Sequence, residues 1–222
     1  MRNLMIKAII SDFDGLILDT ETPAYDSWQE IYQEYGCTLP LEFYATVLGG
    51  SGHEFDAIAY LSELSGKELD VEAIRERRWQ RKLELVEAMR LLPGVLDTIL
   101  YAKQRGLKLA VASSSPRRWV LPHLESLEIN HYFETVVTGD QVSNVKPDPE
   151  TYLEAVARLE VEPHEALAFE DSFNGLQAAK DAGLFCVVVP NLLTRNLDFS
   201  RADIQLESLA DRSLEQLFLQ LR

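Results

Sequence analysis

The stretch from Ile9 to Glu21, IISDFDGLILDTE, follows an apolar run with two aspartates one residue apart, a glycine, and then two further acids. Carboxylates repel one another, and a chain selected for stability alone would space them. Bringing Asp12 and Asp14 together therefore implies something that rewards their closeness. At a strand end, residues i and i+2 point to the same side, so the two carboxylates can share one site. A hard divalent cation offsets their repulsion, and Mg²⁺ favours one or two carboxylates together with phosphate oxygens. Gly15 lets the chain turn sharply beside such a ligand.

Other apolar runs repeat the pattern. Ile6 to Phe13, Leu107 to Ser113, Phe133 to Gly139, Glu165 to Asp171 and Phe185 to Asn191 are short and rich in β-branched residues. They lack strict alternation, as strands do when both faces of their sheet are covered. Helical periodicity separates the later ones, over Gly94 to Gln104, Arg117 to Leu127, Pro149 to Leu159 and Asn174 to Ala182. Gly106 and Gly183 fall where helices end. Alternating strands and helices predict an α/β fold with a Rossmann-like parallel sheet.

The first interval breaks this rhythm. A βαβ unit needs only about 30 residues, yet the second strand begins near Leu107. The excess reads as helices over Thr22 to Tyr35, Glu54 to Leu64 and Val71 to Met89. The segment RERRWQRKLELVEAMR is too polar to lie flat in a core. We therefore expect residues 1–18 and 91–222 to form the core and residues 19–90 an inserted α-helical cap. An insertion after the first strand emerges at the carboxyl edge of the sheet, where open α/β folds bind ligands.

Three more predicted strand ends carry matching chemistry. VASSSP puts Ser113 and Ser114 just before a helix, where hydroxyls and free backbone N–H groups bind phosphate. VKPDPE presents Lys146 beside two stiffening prolines, and AFEDSFNG supplies Glu170 and Asp171 as further oxygen ligands. In a parallel sheet, four carboxyl strand ends converge on one place.

The chain has 222 residues, 46% hydrophobic and 26% charged, ample for a large core. The formal net charge of −15 disfavours nucleic acid and anionic membranes as partners. No apolar run approaches the roughly 20 residues needed to span a bilayer, and MRNLMIKAII does not read as a signal peptide. Cys37 and Cys186 lie far apart without a C-x-x-C motif, as expected of thiols in a cytoplasmic protein. No protein partner is evident.

The sequence from Asp12 to Glu21, the serine pair at Ser113, Lys146-Pro147, and Glu170-Asp171 with Gly175 resemble the four motifs of the haloacid dehalogenase superfamily. Its sugar-phosphate phosphatases and β-phosphoglucomutases are the most similar group. The resemblance implies that Asp12 is a nucleophile forming an aspartyl-phosphate. Asp14 would protonate the leaving alcohol and then activate water, with its backbone carbonyl helping to hold Mg²⁺. Ser113, the Ser114 backbone and Lys146 would grip the phosphoryl group, and Asp171 with Glu170 would complete the metal site. Glu21, Ser51 and His53 are candidate substrate-facing residues of the cap. Mutases of the group carry a histidine and a cap arginine where this chain has Ala24 and Gly52, which favours a phosphatase acting on a small phosphorylated metabolite. The alternatives are a phosphomutase and a non-catalytic phosphoacceptor switch. His123, His131 and His164 lack metal spacing and read as surface or cap residues. Arg117 and Arg118 read as solvated, and Trp28, Trp79 and Trp119 as packing residues.

Overall fold

A computed structural model of the chain describes residues 6–45, 48–49 and 56–221. Its strands are β1 (Ala8–Ser11), β2 (Lys108–Ala112), β3 (Thr135–Val137), β4 (Ala166–Glu170), β5 (Phe185–Val188) and β6 (Ile204–Gln205). They form one sheet in the order β3-β2-β1-β4-β5-β6, and every pairing is parallel. The expected α/β Rossmann-like sheet is present, with β1 at its centre.

Strand alternation sorts side chains to two unlike faces. Ile9, Leu109, Val111, Leu167, Phe169 and Val187 fill one face with large groups. The opposite face is mostly small, with Ala8, Ala110, Ala112, Ala166, Ala168 and Cys186. On that side pack the helices α7 (Glu150–Leu159) and α8 (Phe173–Asp181). The helices α5 (Val95–Gln104), α6 (Arg117–Ser126) and α9 (Leu214–Gln220) contribute to the first face.

Between β1 and β2 lie α1 (Glu21–Glu34), α2 (Leu41–Ala45), α3 (Ala57–Ser65) and α4 (Val71–Glu87). They bury a cluster of their own around Ile31, Tyr32, Leu39, Tyr44, Leu61 and Ile74. Asp56 and Asp70 accept backbone N–H bonds at the starts of α3 and α4, satisfying donors that a helix terminus leaves orphaned. As its composition predicts, α4 buries little: Ile74 and Val86 are its fully buried residues. The two chain crossings lie side by side, with the Leu92 N–H donating to the Ile17 carbonyl over 3.0 Å.

Among the described α-helices and strands, α2, β6 and α9 are additional to the sequence expectation. The first two span five and two residues, too short for periodicity to register. The third was marked by Ser213 and Gln216, which form a reciprocal capping box. No described helix is long and apolar enough to cross a membrane.

Candidate active site

Where β1 ends, Asp12 is 3% exposed and its N–H donates to the Phe169 carbonyl over 2.9 Å. That bond ties it to the end of β4, which delivers Glu170 and Asp171. The carboxylates of Asp12, Glu170 and Asp171 offer oxygens within 4.8 Å of one another, all buried. One cation lies among them. Lys146 Nζ contacts Asp12 Oδ1 at 2.5 Å and Glu170 Oε1 at 2.6 Å. Burial opposes the ammonium charge, yet Asp12 and Glu170 hold the lysine above its ordinary value.

Three carboxylates against one ammonium leave negative charge uncompensated. Burial first, and then mutual repulsion, raise Asp171 well above the usual carboxylate range. Burial also raises Asp12, against the attraction of Lys146. Asp171 Oδ2 accepts from Asn191 Nδ2 at 2.7 Å, while its Oδ1 is buried with no hydrogen-bond partner. Such an orphan costs free energy unless a further ligand satisfies it. Gly15 approaches so closely that a Cβ there would lie 2.2 Å from Asp171 Oδ2. An all-oxygen, buried, over-charged cluster with an unpartnered oxygen fits a divalent cation.

Glu170 is otherwise engaged. Its Oε1 accepts from Lys146 and from the Tyr152 hydroxyl at 2.5 Å, and its Oε2 from the Asp171 N–H and Ser172 Oγ, both at 3.2 Å. Gly175 makes room for it, since a Cβ there would sit 2.0 Å from its carboxyl group.

The Asp14 side chain lies apart from this cluster. Four donors surround it instead. Thr20 Oγ1 and Trp119 Nε1 donate to Oδ1 at 2.6 and 2.8 Å. Ser115 Oγ and Ser113 Oγ donate to Oδ2 at 2.7 and 3.2 Å. Ser114 turns the other way, its hydroxyl donating to the Gly49 carbonyl at 3.0 Å. The serine run thus touches both the segment after β1 and Gly49, which lies between α2 and α3.

Over the site stands a charged group on those helices. Glu21 at the start of α1 faces Lys82 and Arg78 of α4; burial and the nearby Asp14 push its carboxyl up to about 7. Burial holds both Arg78 and Lys82 below their ordinary values. Arg78 Nε is buried without a partner, and Lys82 Nζ lies 4.3 Å from the centre of the Trp119 ring.

The structure therefore brings together Asp12, Lys146, Glu170 and Asp171, sets Asp14 and Ser113 beside each other, and leaves Glu21 above them. Ser51 and His53 lie outside the described residues. Trp119 packs in the core as expected and also serves as a hydrogen-bond donor of the site, whereas His123 is corrected from a surface residue to a partly buried one tilted against it with ring centroids 4.2 Å apart. Arg117 and Arg118 are exposed, as are His131 and His164. Sequence reasoning missed Thr20, Ser115, Trp119, Tyr152 and Asn191. Thr20 and Ser115 sat inside motifs already noted, and Ser115 and Trp119 are four positions apart at a helix start.

Residues 9–189 match the family model described as "Haloacid dehalogenase-like hydrolase". Protein YhcW of Bacillus subtilis (strain 168) is 46% identical over 213 residues, 96% of both chains. The phosphorylated carbohydrates phosphatase of Thermotoga maritima is 34% identical over 180 residues, covering 81% of this chain and 82% of its own. Among solved structures, a mutant of CbbY from Rhodobacter sphaeroides in complex with xylulose-(1,5)bisphosphate superposes with a TM-score of 0.74 at 33% identity, covering 96% of this chain and 99% of that one. The chain belongs to the haloacid dehalogenase-like hydrolase family. The enzyme class is phosphoric monoester hydrolase, as the motifs led us to expect.

Proposed function

We propose that the protein is a Mg²⁺-dependent phosphatase that hydrolyses a small phosphorylated carbohydrate through an aspartyl-phosphate on Asp12. The observation that carries this reading is the buried Asp12–Glu170–Asp171 cluster, with Lys146 inside it and Asp171 Oδ1 unpartnered. Asp12 and Asp171, with Glu170 and the Asp14 carbonyl that the family resemblance adds, would hold the cation. When bound, it would neutralise charge on the transferring group and help align it.

The protein's own residues carry the rest. An Asp12 carboxylate oxygen forms a bond to phosphorus as the bond from phosphorus to the sugar oxygen breaks. Asp14 gives that oxygen a proton, then takes one from the water that attacks the aspartyl-phosphate, releasing phosphate and restoring Asp12. Lys146 spends two of its three N–H groups on Asp12 and Glu170, leaving the third for a phosphoryl oxygen. Ser113 and the Ser114 backbone bind the same group. Splitting one hard displacement into two steps is the gain from the covalent intermediate.

In this reading residues 19–90 act as a cap, and Arg78, Lys82 and Glu21 meet the remote end of the substrate. The unpartnered Arg78 Nε supports a substrate with an acceptor oxygen there. The xylulose-(1,5)bisphosphate bound by the CbbY mutant is a substrate class of this kind. Two free thiols, one partly and one fully buried, are consistent with a cytoplasmic enzyme. The test is phosphate release across a panel of phosphorylated carbohydrates with Mg²⁺, with and without excess chelator. We expect sustained release that chelator abolishes. An isomeric sugar phosphate without free phosphate would establish a mutase instead, and a single stoichiometric phosphorylation a switch.

A further inference from the structure

Trp119 sits at the meeting of three parts of the molecule. It is 6% exposed, in the first turn of α6. Its indole N–H donates to Asp14 Oδ1 at 2.8 Å. One neighbour of its ring is His123, whose Nδ1 lies 2.6 Å from the Trp119 carbonyl. The other neighbours belong to α4: the Trp79 ring at 5.5 Å between centroids, and the Lys82 ammonium at 4.3 Å.

Of the four donors around Asp14, three are hydroxyls, which can turn and accept. The indole can only donate. Trp119 therefore fixes Oδ1 as an acceptor throughout any reaction in which Asp14 takes part, while Ser113 and Ser115 on Oδ2 are free to reverse. A ring wedged between α6 and α4 holds that fixed point only while α4 is seated.

We propose that Trp119 is a positioning residue that couples the seating of α4 to the orientation of the Asp14 carboxylate. This rests on the acid/base role proposed for Asp14. With Trp79 and Lys82 against it, the indole aims its N–H at Oδ1 and sets the plane of the carboxylate. With α4 lifted, the ring loses its outer neighbours and Asp14 loses its fixed donor. Protonation of the leaving group is then efficient only beneath a closed cap, which links the binding of a sugar to the chemistry at phosphorus.

The test compares two small substrates that differ in their need for a proton. Glycerol 2-phosphate leaves as an alkoxide unless protonated, whereas acetyl phosphate leaves as acetate. Trp119→Phe keeps an aromatic ring and removes the donor, and Trp79→Ala alters the contact from α4, at a residue 41% exposed. We expect Trp119→Phe to lower kcat/KM about 10–10²-fold on glycerol 2-phosphate, and no more than about 3-fold on acetyl phosphate. Trp79→Ala should lose less in the same sense, and the double variant should be no worse than Trp119→Phe alone. The ¹⁵N-indole resonance of Trp119 should shift in Trp79→Ala. Equal losses on both substrates, additive losses, or an unmoved indole resonance would overturn the proposal. Asp14→Asn serves as the reference. If it depresses kcat/KM, which reports formation of the aspartyl-phosphate, equally on both substrates, the acid role of Asp14 fails, and the indole resonance still decides the coupling to α4.

Discussion

Asp12 and Asp14 stand two positions apart and have been given opposite surroundings. One is dry, crowded by carboxylates and held by an ammonium; the other is wrapped in neutral donors. Their roles follow from that contrast. Asp12→Asn should abolish turnover, because an amide does not attack phosphorus. Asp14→Asn should lower kcat on the best sugar phosphate about 10²–10⁴-fold. Steady-state phosphate release measures both, and a wild-type rate in the second would move the acid/base role elsewhere. Glu21 gives a prediction about stability. Its carboxyl titrates near 7 in the folded protein against an ordinary 4.5. A raised acid favours folding in its protonated form, so its contribution is full below about 4.5 and is lost as pH rises through about 7. Glu21→Gln, neutral throughout, should therefore gain on the parent between pH 5 and pH 8, by at most about 3 kcal/mol. Urea denaturation of both proteins at the two pH values is the measurement, and a pH-independent difference would remove Glu21 from the charged group over the site.

Among elements, α8 shows local propensity and tertiary demand in conflict. Replacing a helical glycine by alanine ordinarily stabilises by about 1 kcal/mol. At Gly175 the new Cβ would stand 2.0 Å from the buried Glu170 carboxyl, which holds both Lys146 and Tyr152. Overpacking of this kind costs about 1–3 kcal/mol, so the contact wins and the sign reverses. Gly175→Ala should lower the denaturation midpoint and lose activity, although every helix scale favours it. The three strand ends that follow β2, β4 and β1 were legible because each joins an apolar run to a polar tip. The donors that complete the site were not. Tyr152 and Trp119 lie in amphipathic helices whose buried faces read as packing, and nothing local distinguishes a ring that packs from a ring that also donates.

For the whole molecule, two consequences follow from a buried carboxylate cluster and from the cations of α4 that face Glu21. Mg²⁺ should raise the thermal midpoint, since a ligand bound only to the folded state stabilises it, by about 2.7 kcal/mol at a hundredfold excess over Kd. Asp171→Asn should blunt that response, and Ca²⁺ should bind yet inhibit, because it prefers more ligands at longer distances. Melting curves with Mg²⁺, Ca²⁺ and chelator check this, and a midpoint indifferent to Mg²⁺ would count against the metal site. Arg78→Ala should cost about 10–10²-fold in kcat/KM on the sugar phosphate, the worth of a hydrogen bond to a charged group, while sparing acetyl phosphate. Equal losses on both would mean that α4 supports the sheet rather than the substrate. What the sequence by itself determined was the parallel sheet, the long interruption after Phe13 and the polar ends of β1, β2 and β4, because strand periodicity and strand-end chemistry are local and a parallel sheet gathers its carboxyl ends of necessity. Only the tertiary structure decided that Asp14 is hydrogen-bonded by Thr20, Ser113, Ser115 and Trp119, that Glu170 is spent on Lys146 and Tyr152, and that Arg78 and Lys82 face Glu21. Ser113, Ser115 and Trp119 come to Asp14 from about a hundred residues away, and such meetings depend on the packing of helices against the sheet, which no local pattern encodes.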